Sequence, residues 1–423
     1  VSAGLDHVAG LRCTLCKRLY PYGSVEYVCP DDGGNLDVEY VYDRIQEIHA
    51  ARGIDGGPGM WRYKGLMPID PGAEVPPLMV GDTPLYKSEI LAKRLEVGAV
   101  WIKDDGRNPT ASLKDRASAL IVAKARAEGH QIITTASTGN AAAALAGLAA
   151  SVQLPVVIFV PASAPPAKIT QLLAYGAHVL LVEGTYDDAF DLCLEATERF
   201  GWYCRNTGYN PFTAEGKKTV SFEICEQIAS SPAETFHPPD WIVVSVGDGN
   251  IISGVHKGLK DLFALGWIDD VPHLLGVQAE GSAALYNAWK RDLDPADLQP
   301  IEASTIADSI SAGLPRDAVK ATNAVKGTGG AFLAVSDAAI LAAIPDLARH
   351  TGVFAEPAAA AAFAGLLKAS GEGLFKPEDE IVLLVTGNGL KDVASAQKAV
   401  GSGYRVKPDM NEVSRVIGKI FGS

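Results

Sequence analysis

From residue 131 onward the chain repeats one pattern: a short run of apolar and β-branched residues, then a longer segment able to form a helix. The runs 131–136, 156–160, 178–182, 241–246, 274–278 and 381–385 do not alternate polar with apolar. A strand of that kind must be covered on both faces, and intervening helices supply the cover, so parallel sheets are implied. The fold class is α/β. A chain of 423 residues exceeds what one hydrophobic core usually organises, so two open parallel-sheet lobes are expected.

Helix signals follow the same spacing. An Ala-rich helix begins near Asn140, another spans 166–175, and Asp187 with Asp188 favours a helix N-terminus through the helix dipole. A further helix covers 252–264, and Pro357 opens one carrying the alanine run 358–362. Residues 48–84 are rich in Gly and Pro with no periodic run, a wrapping connector that holds a domain boundary. The expected division is an N-terminal segment 1–45, a small lobe 131–214, and a large lobe made of 46–130 with 215–423.

Composition excludes several function classes. With 50 Asp and Glu against 37 Lys and Arg the formal net charge is -13, and no basic run offers nucleic acid or an anionic membrane surface a docking face. The most apolar long stretch, 141–162, contains Gln153, Pro155 and Pro161, which fits a helix then a strand better than a membrane span. The chain opens Val1-Ser2-Ala3 with no basic segment leading an apolar one, so a cytoplasmic location is expected.

Six Cys are too few for a disulfide scaffold, and three of them sit together near the N-terminus. Cys13 and Cys16 form one CxxC knuckle; Cys29 begins a second in which Asp32 stands where the fourth Cys would be. Carboxylates also ligate zinc, so this zinc-ribbon-like segment reads either as a structural zinc site or as a small metal-free hairpin.

Four further segments carry chemistry. Lys114, in Asn108-Pro-Thr-Ala-Ser-Leu-Lys114-Asp-Arg116, lies in an apolar turn at a helix start, where desolvation and the helix N-terminus both lower an amine's pKa. Ser137-Thr138-Gly139-Asn140 ends a strand and opens a helix, presenting free N–H groups to an anion. Gly247-Asp248-Gly249-Asn250-Ile251 is a Gly-rich strand-to-helix turn able to cradle a phosphate. As a dinucleotide fingerprint it fails, because Ile252 occupies the third glycine's place. Thr386, opening Thr-Gly-Asn-Gly-Leu-Lys391-Asp392, puts a hydroxyl at the carboxyl end of a buried strand, where open α/β sheets bind ligands.

Taken in order, these four segments resemble the pyridoxal-phosphate enzymes of fold type II, the tryptophan synthase β-like class, and most closely the threonine synthase family. That family's NPTGSFKDR, ASTGN, Gly/Asn-rich phosphate loop and TGHGLKD are matched here by NPTASLKDR, ASTGN, VGDGNI and TGNGLKD, with Glu356-Pro357-Ala358 as a further family segment. The resemblance implies a lyase of amino-acid biosynthesis that uses pyridoxal 5'-phosphate, takes a small amino-acid substrate, and forms a homodimer. Lys114 would hold the cofactor as a Schiff base, Asn140 its phenolic oxygen and Thr386 its pyridine nitrogen. Gly247, Asp248, Gly249, Asn250 and Ile251 would wrap its phosphate, and Ser137, Thr138 and Gly139 would bind substrate anions.

The implied reaction turns O-phospho-L-homoserine and water into L-threonine and phosphate. Three positions depart from the family pattern: Ala141 replaces a hydroxyl residue, Thr185 an Asn, and Asp191 an Arg that helps hold the substrate phosphate. An Asp there would repel a dianion, unless Lys217 and Lys218 face the site rather than solvent. β-Elimination or β-replacement on a small β-substituted amino acid is therefore the competing expectation. A non-catalytic binding protein fits poorly with an intact Lys114, Asn140 and Thr386 set.

Overall fold

Most of the apolar runs become strands with almost no solvent-facing residue, as in Val156–Pro161 and Trp241–Ser245, which are buried throughout. His178–Val182, however, forms a sheet edge and exposes Leu180 and Leu181, so it is not covered on both faces. In a computed structural model of the chain, which describes residues 5–422 apart from 53, 55, 56, 165 and 230–234, the strands form three sheets. The opening Val1–Ala3 lies outside the described residues.

The largest sheet has six strands in the order Ala331–Val335, His273–Ala279, Trp241–Ser245, Glu380–Val385, Ala99–Asp104 and Leu85–Lys87. All neighbours are parallel except the last pair. A four-stranded parallel sheet runs His178–Val182, Val156–Pro161, Ile133–Ala136 and Tyr203–Cys204. The third sheet is an antiparallel ribbon of Leu19–Tyr20, Val8–Cys13 and Leu36–Tyr40. Among the described residues no helix is long and apolar enough to cross a membrane.

Alanine governs how closely helices approach the large sheet. The helix Pro357–Gly371 buries Ala358 to Ala362 to 2% exposure or less. At Gly365 an added Cβ would stand 2.3 Å from Val277 Cγ2, so nothing larger than hydrogen fits there.

The strand Ala99–Asp104 carries no expectation from the sequence, yet it lies beside Glu380–Val385 near the middle of the large sheet. Its Lys103 is buried and donates to Glu223 Oε2 at 2.7 Å. Arg116, also fully buried, bonds both oxygens of Glu223, each at 2.7 Å, and both of Asp105, at 2.7 and 2.9 Å. This cluster fixes the Lys114–Ala127 helix against the sheet and against the helix Thr219–Ile228.

Segments far apart in sequence are sewn together at the strand ends. Leu113 N donates to Thr386 O at 2.9 Å, Asn388 N to Ala111 O at 3.1 Å, and Glu356 N to Gly387 O at 3.1 Å. Ala111 adopts φ 66°, a left-handed conformation that disfavours any residue with a Cβ. Ala111→Gly is expected to stabilise the chain by about 1 kcal/mol, seen as a higher urea midpoint with unchanged slope.

Candidate active site

A cavity of about 730 Å³ opens where strands of the two parallel sheets end. The turn from Ala136 to Ala141, after one strand, forms one wall, and the turn from Ser245 to Ile252, after another, forms the opposite wall. Three helix N-termini meet there: Lys114, Asn140 and Asn250 each begin a helix whose first turn receives no side-chain cap. At Lys114 the first turn's Asp115 and Arg116 N–H groups donate to Ser112 O and Leu113 O. It is therefore the starts of the Asn140 and Asn250 helices, with their free N–H groups and dipoles, that make the cavity a site for anions.

Lys114 lines this cavity. Burial, and then the charge of Arg205, lowers its pKa to about 8, while Glu356 and Asp248 oppose the fall. Ser137, Thr138 and Gly139 line the same wall, and a Cβ added to Gly139 would meet nothing within 4 Å, so the space above that turn is open. Asn140 donates through Nδ2 to Glu356 Oε1 at 2.8 Å and Oε2 at 3.1 Å. Burial raises the Glu356 carboxyl above its ordinary range, against the pull of Asn140 and Lys114.

The Gly-rich turn is held from behind. Gly249 takes φ 90°, and an added Cβ there would lie 2.7 Å from Ala321 Cβ; one on Gly247 would lie 2.8 Å from Ile310 Cα. The helix begins at Asn250, two residues earlier than its apolar pattern suggests, so Asn250 and Ile251 face the cavity. Asn250 Nδ2 donates to Asp317 Oδ2 at 2.5 Å, and its Oδ1 accepts from Lys217. Asp248 lines the cavity too, its carboxyl raised by burial and by Asp317. Thr386 is buried just behind the wall, its Oγ1 3.5 Å from the Oγ of Ser245, which does line the cavity.

The departures resolve individually. Ala141 lines the cavity and offers no hydroxyl. Thr185 is spent on a capping box with Asp188 at the helix Tyr186–Phe200 and is exposed. Asp191 does line the cavity, at an exposed position. Neither lysine is solvated: Lys217 is buried and faces the cavity, whereas Lys218 pairs with Glu215 and Asp261, each at 2.6 Å. Burial, with Lys114 and Arg205 nearby, pushes Lys217 well below its ordinary pKa.

Three contributors lie outside the motifs: Arg205, Arg316 and Tyr186. Arg205 follows the strand Tyr203–Cys204, is fully buried, and has been lowered to about 10 by burial. The end of a parallel strand was the one signal that could have marked it. Arg316 lies over the Phe190 ring at 4.8 Å, with Nη2 3.4 Å from Asp187 Oδ1.

The Cys13, Cys16, Cys29 and Asp32 side chains gather in the antiparallel ribbon, apart from this cavity.

Residues 77–387 match the family described as pyridoxal-phosphate dependent enzyme. A threonine synthase of Methanocaldococcus jannaschii is 34% identical over 412 residues, covering 97% of this chain and 99% of its own. One from Methanosarcina acetivorans is 37% identical over 383 residues, covering 90% and 92%. Among solved structures, a threonine deaminase from Solanum lycopersicum superposes with a TM-score of 0.63 at 24% identity, over 75% of this chain and 87% of its own. Maize serine racemase does so with 0.60 at 20%, over 90% and 98%. These neighbours share the fold type II architecture.

The cavity fits a phosphorylated aldehyde on its own terms. Arg205 Nη2 is a buried guanidinium nitrogen with no hydrogen-bond partner among the described residues, Lys217 adds a second buried basic side chain, and Lys114 supplies an amine whose pKa is lowered to about 8. With the family match running from before Lys114 to just past Thr386, and threonine synthases aligning over nearly the whole length, the chain belongs to the pyridoxal-phosphate-dependent enzyme family.

Proposed function

We propose that this enzyme is a threonine synthase, a lyase that converts O-phospho-L-homoserine and water to L-threonine and phosphate. The observation that carries the reading is one cavity in which Lys114 shares space with Arg205, Lys217, Arg316 and the uncapped starts of the Asn140 and Asn250 helices. Such a site suits a ligand set rich in anions: a cofactor phosphate, a substrate phosphate and a substrate carboxylate.

Lys114 would hold the cofactor, with Asn140 and Thr386 on its ring and Gly247, Asp248, Gly249, Asn250 and Ile251 around its phosphate. When bound, the cofactor supplies an electron sink for negative charge at the substrate's α-carbon. The turn Ser137, Thr138 and Gly139 holds the substrate carboxylate through the Thr138 N–H and hydroxyl and the first N–H groups of the following helix, since the Ser137 and Gly139 N–H groups donate to Phe159 O and Ser137 Oγ. Lys114 Nζ takes the α-proton and then shuttles the β-proton, a task suited to an amine titrating near working pH. The Cγ–O bond breaks as phosphate leaves with its electron pair, and the proton taken from Cβ goes to Cγ. Water adds its hydroxyl at Cβ while its remaining proton goes to the departing phosphate, and the α-proton returns to Cα. Arg316 and Arg205 draw the leaving phosphate and balance Asp191.

One observation favours the second reading, β-elimination or β-replacement. Asp191 stands on the cavity wall, where it opposes a phosphate but not a neutral β-substituent. Phosphate release from O-phospho-L-homoserine, run beside 2-oxo-acid formation from serine and threonine, separates the two. Absence of phosphate release at saturating substrate rejects threonine synthase.

Because burial lowers Lys114 to about 8, uptake of pyridoxal phosphate by the cofactor-free chain should quicken as pH rises toward 8 and level off above it. The neutral amine is the reactive form, so the rate follows its fraction. Stopped-flow absorbance between pH 6 and 9.5 reads this directly; a rate flat across that range rejects the assignment.

The same reading takes 131–214 as the small lobe and 46–130 with 215–423 as the large one, with the cofactor between them, in a cytoplasmic homodimer. The six cysteines are free thiols, which accords with a reducing compartment. The terminal helix Met410–Phe421 leaves Ile417, Ile420 and Phe421 exposed at 43%, 43% and 75%, an apolar face that a second subunit would cover. Light scattering coupled to size exclusion measures the assembly.

A further inference from the structure

The antiparallel ribbon carries a donor set that the reaction does not use. One ligand atom from each of Cys13, Cys16, Cys29 and Asp32 lies within 4.8 Å of every other. Cys16 Sγ and Cys29 Sγ are 3.7 Å apart, and Cys13 Sγ is 3.3 and 3.5 Å from the two oxygens of Asp32. Tetrahedral zinc, with Zn–S about 2.3 Å and Zn–O about 2.1 Å, sets its sulfurs about 3.8 Å apart and sulfur from oxygen about 3.6 Å. The spacing is that of a ligand shell; a disulfide would bring two sulfurs to about 2.05 Å.

The backbone is arranged around the same four groups. Leu15 N donates to Cys13 Sγ at 3.3 Å, Cys16 N to Asp32 Oδ2 at 3.1 Å, and Gly34 N to Asp32 Oδ1 at 2.8 Å. Such bonds orient ligands before a metal arrives. A Cβ on Gly34 would come within 2.8 Å of Cys13 Sγ and 2.9 Å of Asp32 Oδ1, so the ligands close over a glycine.

From this cluster a short path leads to the cavity. Cys29 N donates to Gly34 O and Thr14 N to Asn35 O, both at 2.9 Å, which places Asn35 at the edge of the cluster. Asn35 Nδ2 then donates to Gly208 O and Arg316 O at 3.0 Å and to Asp317 Oδ1 at 2.8 Å. Asp317 in turn holds the Gly-rich turn, accepting from Asn250 Nδ2 at 2.5 Å and donating through its N–H to Asp248 O at 2.8 Å. Arg316, fixed by the same contact, lines the cavity.

We propose that Cys13, Cys16, Cys29 and Asp32 bind one Zn²⁺, and that the ion braces residues 247–251 through Asn35 and Asp317. The first half stands on the ribbon alone. The second rests on the reading of 247–251 as the turn that takes the cofactor phosphate.

The test uses the full chain with its cofactor. Elemental analysis after dialysis against a chelator of moderate strength should give about one zinc per chain. Cys16→Ser should lose the metal, whereas Asp32→Cys should keep it. Zinc below about a tenth of an equivalent, iron in its place, a Cys16–Cys29 disulfide, or full zinc in Cys16→Ser each overturns the site. Titration of the cofactor-free chain with pyridoxal phosphate reads the brace: affinity should fall about tenfold or more when zinc is lost, the scale expected for loss of an outer positioning contact. Unchanged affinity with zinc absent overturns the brace and leaves the site standing. Stripping zinc from the unaltered chain and restoring it gives the same two readouts without dependence on a variant that folds.

Discussion

Lys114→Ala should reduce threonine formation by at least about a thousandfold, since in the proposed mechanism one side chain supplies both the covalent hold on the cofactor and the proton transfers. The loss will not come from unfolding. The native state disfavours this ammonium, as its lowered pKa shows, so its removal relieves a desolvation cost instead of breaking a support. Alanine also suits the first position of the Lys114–Ala127 helix. The cofactor-free variant should therefore melt no lower than the parent, while showing neither turnover nor the visible absorbance of a cofactor-loaded chain. A variant that keeps more than about a hundredth of the activity would move the proton-transfer role to another group, with Lys217, the other lysine lining the cavity, the first to examine.

Glu223→Ala should produce the largest change in stability. The carboxylate sits in the interior between Arg116 and Lys103 and also accepts from Asp82 N at 2.8 Å. Its removal leaves two buried cations facing Asp105 alone, and uncompensated buried charge typically costs about 3–5 kcal/mol. The urea midpoint should fall accordingly. Burial alone would raise the Glu223 carboxyl, but Arg116 and Lys103 outweigh it and hold its pKa far below the usual range. A depressed folded pKa gives stability that is present above the unfolded value of about 4.3 and lost as pH falls below it. The gap between parent and variant should thus be widest near neutral pH and narrow below about pH 4. A gap that stays constant down to pH 3 would mean that packing, and not charge, carries the cost.

The α/β class and six of the strands were legible from uninterrupted apolar runs, which burial on both faces explains for all but the exposed edge strand His178–Val182. The strand Ala99–Asp104 was not, although it lies deep in the large sheet. Lys103 breaks its run, and only the distant Glu223 makes a lysine tolerable there. The four motifs declared themselves because each joins a strand end to a helix start, so local sequence carries their geometry. Arg205 and Lys217 gave no comparable sign. Lys217 and Lys218 are adjacent and equally buried, yet the helical turn between them sends one into the cavity and the other to Glu215 and Asp261. Which of two neighbouring lysines becomes a site residue depends on what packs around the helix, and that is settled by residues elsewhere in the chain. Asp191 is the reverse case: its departure was plain from sequence, but not that Arg316 would line the same cavity.

The hydrogen bonds joining Ala111 to Asn388 and Leu113 to Thr386 also set a schedule. Synthesis at about 5–20 residues per second separates the emergence of Lys114 from that of residue 388 by roughly 15 s to a minute. For most of that interval the strand Ala99–Asp104 has no Glu380–Val385 strand to pair with, and Asn140 has no Glu356 to meet. A nascent chain can fold its four-stranded sheet early, but it cannot close the cavity until nearly all of the sequence has left the ribosome. Ribosomes that stop short of residue 388 therefore release chains that added cofactor cannot rescue.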